Sequence, residues 1–75
     1  MTSFREQGIA RATAFLDLAY AAKTRDRLEL IRRVEFISLD LDARSLDATD
    51  EELGQWLHGY IDAMNLVAKP AMGVA

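Results

Sequence analysis

Residues 49–70 read Thr49-DEELGQWLHGYIDAMNLVAK-Pro70, and the fold class turns on how this stretch is understood. Thr49 followed three residues later by Glu52 is a capping box, the reciprocal side-chain and backbone pairing that opens a helix. Asp50, Glu51 and Glu52 crowd the first turn, where the exposed N–H groups and the helix dipole favour negative charge. Leu53, Trp56, Leu57, Tyr60, Ile61, Met64 and Val67 then recur at steps of three and four, which is one face of an α-helix. Pro70 is expected to end it, because proline pushes Lys69 out of the α region.

Working outward, the segment from Thr24 onward carries a second helical stripe. Leu30, Val34, Ile37 and Leu41 are spaced 4-3-4, with Leu28 and Ile31 alongside. The start is set by Thr24 or by Asp26, the latter with Glu29 three residues on. Residues 37–42, Ile-Ser-Leu-Asp-Leu-Asp, also alternate apolar and polar, which is the pattern of a half-buried strand. The helix is the main reading of residues 34–42, with a strand as its alternative. Residues 43–48 are the expected connection.

Ser3 and Glu6 make another capping box and open a first helix rich in alanine, the best helix former. Ile9, Ala12, Leu16 and Tyr20 lie on one face, with Phe15, Leu18 and Ala22 beside them. Gly8 is a weak point in this helix, as Gly54 and Gly59 are in the last one. Each glycine costs up to about 1 kcal/mol relative to alanine in a helix interior. With Trp56 and Tyr60 nearby, Gly54 and Gly59 would let another helix approach closely. The expectation is an all-α fold, a two- or three-helix bundle over residues 1–69 with a flexible tail at 70–75.

The chain has 75 residues, no cysteine, one histidine, and a net charge of −3 from nine basic and twelve acidic side chains. In so short a chain the gain from burying apolar surface nearly cancels the entropy of ordering. Yet 51% of the residues are hydrophobic. A homodimer, or a core completed by another protein, is therefore expected. No basic and apolar leader opens the sequence, and no apolar run approaches the roughly 20 residues that span a bilayer. The expected location is the cytoplasm, without membrane attachment.

Composition and spacing also exclude chemistry. Without cysteine there is no disulfide framework, thiolate nucleophile or cysteine zinc site. His58, with Asp62 one turn on, supplies too few ligands for zinc and no nucleophile to serve. An EF-hand alignment places Asp40, Asp42 and Glu51 correctly but puts Arg44 and Ser45 where an oxygen ligand and glycine belong. No phosphate-binding glycine loop is present. No catalytic residue, cofactor or metal is expected.

Ser45-Leu46-Asp47, in an acidic helical chain of this size, resembles the Asp-Ser-Leu signature of acyl carrier proteins. That resemblance would imply phosphopantetheine on Ser45 at the start of the family's second helix. Here Arg44 takes the place of the preceding aspartate, and the long last helix departs from the family's short ones. A second alternative uses Arg25, Arg27, Arg32 and Arg33 of a dimer to contact nucleic acid. However, Asp26, Glu29 and Glu35 interrupt this cluster, and Glu29 is spaced to pair with Arg32 or Arg33. Nucleic acid is not the expected partner. The leading expectation is a non-enzymatic regulator, of the anti-activator, inhibitor or adaptor type, that binds another protein through an apolar helix face. The expected partner-binding residues are Phe15, Leu16, Tyr20, Trp56, Tyr60 and Met64.

Overall fold

The computed structural model describes residues 2–71, with side chains from 2 to 66. Three helices follow in order, α1 (Phe4–Ala21), α2 (Arg25–Ser45) and α3 (Asp50–Ala71), and the described residues form no strand. The protein is a small all-helical bundle. The side chains expected to start the helices do so. Ser3 Oγ accepts from the Glu6 N–H at 3.1 Å, and Thr24 Oγ1 accepts from the Arg27 N–H at 3.1 Å. Thr49 completes its box in both directions: Oγ1 accepts from Glu52 N–H at 3.2 Å, while its own N–H donates to Glu52 Oε1 at 2.9 Å.

The strand alternative for residues 34–42 is overturned, since α2 runs unbroken through them. A solitary strand has no edge to pair with, whereas a helix satisfies its own backbone. The connection is shorter than expected, because α2 reaches Ser45 and the cap at Leu46 is already extended. α3 continues through Pro70 to Ala71, just past the expected stop, a difference of the size common at fraying helix ends. Of the expected tail, residues 72–75 lie outside the described ones.

α1 and α3 form the tight pair. They cross through backbone, and the crossing is built by two glycines. A Cβ on Gly8 would overlap the Trp56 carbonyl oxygen and stand 3.0 Å from the Tyr60 nitrogen. A Cβ on Gly59 would likewise overlap the Arg5 carbonyl oxygen. One turn beyond each glycine comes an alanine, Ala12 on α1 and Ala63 on α3, and both are buried. Small residues four apart on both helices let the axes approach closely. The core grows around this contact from Ala12, Phe15, Leu16, Trp56, Tyr60 and Ala63, with Ile9, Leu39 and Met64 packed at its margin. Trp56 and Tyr60 stack with ring centroids 6.4 Å apart. Gly54, by contrast, faces open space.

α2 contributes no buried residue. Its inner face is half-buried: Leu28, Ile31, Glu35, Ser38, Leu39, Ala43 and Leu46. The stripe Leu30, Val34, Ile37 and Leu41 lies about 130° away around the helix and is 54–62% exposed.

Candidate functional site

The residue that fixes which side of α2 turns inward is Glu35. Arg11 of α1 grips its carboxylate with two parallel bonds, Nη2 to Oε1 at 2.7 Å and Nη1 to Oε2 at 3.1 Å. The Arg11 Nε donates to Asp42 of α2 at 2.8 Å. From α3, the Tyr60 hydroxyl donates to the same Oε2 of Glu35. One carboxylate thus ties all three helices together, and its side chain is only 11% exposed. Bidentate pairing to arginine is the geometry in which a carboxylate is held most strongly.

The electrostatics follow from this placement. Burial raises the Tyr60 pKa far above its ordinary value; hydrogen bonding to Glu35 and its negative charge add to the shift, against a smaller opposing effect of Arg11. For Arg11, burial works against the charge, but hydrogen bonds and charge attraction with Asp42 and Glu35 outweigh it and raise the pKa. The phenol therefore stays protonated and the guanidinium charged. The Glu35 carboxylate has both oxygens engaged, so the cluster is a clamp between helices with no base or nucleophile left idle.

Elsewhere the chemistry is sparse. His58 is exposed beside a shallow groove with Arg5, Glu51, Gly54, Gln55 and Asp62. Asp62, one turn on from His58, pairs with Arg5 at 2.8 Å. Among the described residues no three His, Asp or Glu side chains gather into a metal-binding group. Ser45 is the last residue of α2, the opposite end of a helix from the modified serine of a carrier protein. In the arginine cluster, Arg32 is matched to Glu29 at 3.7 Å.

The six residues expected to bind a partner divide. Phe15, Leu16, Trp56 and Tyr60 are buried in the chain's own core, and Met64 is half-buried against it. They pack at the tight α1–α3 interface. Tyr20 lies on the surface. Large apolar side chains stay exposed on all three helices, Leu18 and Tyr20 on α1 and Ile61 and Leu66 on α3, but the longest run, Leu30, Val34, Phe36, Ile37 and Leu41, is on α2, where sequence reasoning placed no partner contact. Phe36 is 81% exposed. It lines a groove of about 550 Å³ with Ile37, Leu39, Asp40, Ala43 and Leu57, between α2 and α3. A second groove, of about 310 Å³ between α1 and α2, has Phe15, Leu18, Leu30, Ile31 and Val34 in its walls. The 4-3-4 stripe was visible in the sequence, but nothing there distinguished an outward stripe from an inward one.

Among the described residues no helix is long and apolar enough to cross a membrane. Compared with known proteins, the chain matches no protein-family model, no curated protein and no solved structure.

Proposed function

We propose that this is a small, non-enzymatic, cytoplasmic interaction protein that regulates or adapts another protein by docking it on the apolar face of α2. The observation that carries this reading is Phe36, an aromatic side chain 81% exposed on a helix whose inner face is only half-buried. Aromatic residues beside an apolar groove are the usual anchors of protein interfaces. The partner-binding surface moves accordingly from the six residues expected to the groove of Phe36, Ile37, Leu39, Ala43 and Leu57.

The test is photocrosslinking in the source cell from a photoreactive side chain at Ala43, beside Phe36. A protein adduct that is lost with Phe36→Ser, and is absent when the probe sits at exposed Asp17, supports the reading. Adducts equal at both positions, or unaffected by Phe36→Ser, would overturn it. An adduct to nucleic acid would transfer the function to Arg25, Arg27, Arg32 and Arg33, with an affinity falling steeply as salt rises.

A further inference from the structure

We infer that the outer stripe of α2 is the dimer interface of this protein, with α2 packed antiparallel against α2 of a second copy. The inference rests on reading α2 as an interaction face, and it names the occupant of one side of that face.

The first argument is exposure. Leu30, Val34, Ile37 and Leu41 are 54–62% exposed, a contiguous apolar strip along one helix that the rest of the described chain leaves uncovered, and such a strip marks an interaction surface.

The second argument is self-complementarity. The spacing Leu30-x3-Val34-x2-Ile37-x3-Leu41 reads the same in both directions about a centre between Glu35 and Phe36. An antiparallel copy centred there sets Leu30 against the partner's Leu41 and Val34 against the partner's Ile37. The two-fold axis then repeats both layers. An interface of this kind, the same patch on both subunits, is what a closed dimer requires. A parallel pair in register would gain nothing from the palindrome.

The third argument is charge. In an antiparallel helix pair the positions flanking the apolar seam face their own kind from the other chain. On one flank those positions are Arg33 and Asp40. The geometry sets Arg33 beside the partner's Asp40, and Asp40 beside the partner's Arg33. Within the chain Arg33 makes no ion pair among the described residues, while Asp40 meets only the exposed Arg44 at 3.2 Å. On the other flank Ile31 would meet the partner's Ser38, with no charge buried. The next layers out oppose Arg27 to the partner's Arg44, and these like charges end the seam where the aliphatic residues end.

The experiment uses the full chain. Light scattering on the eluting protein should give twice the chain mass at micromolar concentration. Because the chain has no cysteine, Arg25→Cys carries a single spin label. An antiparallel pair holds the two labels about 30 Å or more apart, and a parallel pair about half that. Val34→Asp should weaken the dimer about a hundredfold. Arg33→Asp and Asp40→Arg should each weaken it about tenfold, and the double variant should regain most of the loss. Helix content by circular dichroism should hold in all four, since these side chains are exposed. A monomer at all concentrations, a dimer indifferent to Val34→Asp, a short label distance, or a double variant weaker than either single would each overturn the inference. Ile37 and Asp40 line both this seam and the groove beside Phe36, so the two surfaces share an edge; a crosslink from Ala43 to another protein that survives Val34→Asp supports the docking groove whatever the oligomeric state, and a crosslink only to a second copy would overturn the docking reading alone.

Discussion

Replacing glycine by alanine in a helix ordinarily stabilises it by about 1 kcal/mol, because glycine has more backbone freedom to lose. The three helical glycines Gly8, Gly54 and Gly59 should respond in opposite directions. At Gly54 the new methyl meets nothing within 4 Å, so Gly54→Ala should gain most of that 1 kcal/mol. At Gly8 the methyl overlaps the Trp56 carbonyl oxygen, and at Gly59 the Arg5 carbonyl oxygen. Neither obstacle is a side chain that can swing aside. The helices must separate, which loosens the packing of Ala12, Tyr60 and Ala63 on the next turn. Overpacking costs about 1–3 kcal/mol where side chains can adjust; against fixed backbone the upper end applies. Allowing for the helix-propensity gain, Gly8→Ala and Gly59→Ala should each lose about 2 kcal/mol or more. For a domain of this size each kcal/mol shifts Tm by about 4–8 °C. The assay is thermal and urea unfolding followed by circular dichroism, at one fixed protein concentration because association adds to apparent stability. Gly8→Ala or Gly59→Ala at or above wild-type stability would refute the backbone-to-backbone crossing. So would Gly54→Ala falling with the other two.

Other outcomes follow from the clamp and the caps. Arg11→Met leaves the Glu35 carboxylate buried with only Tyr60 as partner and should cost about 3 kcal/mol, whereas Tyr60→Phe removes one of its bonds and should cost about 1–2 kcal/mol; equal losses in urea unfolding would contradict the ranking. The Tyr60 phenol has a higher pKa folded than unfolded, so the unfolded chain releases that proton first, from about pH 10. The stabilisation is therefore complete below pH 10 and declines as pH rises above it; Tyr60→Phe should show a shallower alkaline loss, and an identical slope would exclude the clamp as its source. Thr49→Ala removes the side-chain half of the capping box and should cost about 1 kcal/mol, read as a lower urea midpoint at unchanged m-value.

The starts of α1 and α3 were legible in the sequence because they are local, and that of α2 was narrowed to Thr24 or Asp26 for the same reason. A threonine or serine oxygen reaches an N–H three residues ahead, whatever the rest of the chain does. The helical state of most of the chain was legible for the same reason, since 3.6-residue periodicity is a property of each segment alone. Even the ambiguous residues 34–42 resolved to the state that needs no distant partner.

What only the tertiary structure decided is which way those segments face. α2 carries apolar residues on two sides, Leu28, Ile31, Leu39 and Leu46 on one and Leu30, Val34, Ile37 and Leu41 on another; the unbroken 4-3-4 spacing favours the second set, yet it is the first that turns inward. The choice falls to Glu35, which lies between members of the first set and bonds to Arg11, 24 positions away, and Tyr60, 25 away. Likewise Gly59 and Gly54 look alike in sequence, yet only Gly59 meets a carbonyl from the other end of the chain. Caps and helical periods are short-range physics and can be read from neighbours. Facing, crossing and the surface left uncovered depend on residues that become neighbours only after the chain has folded.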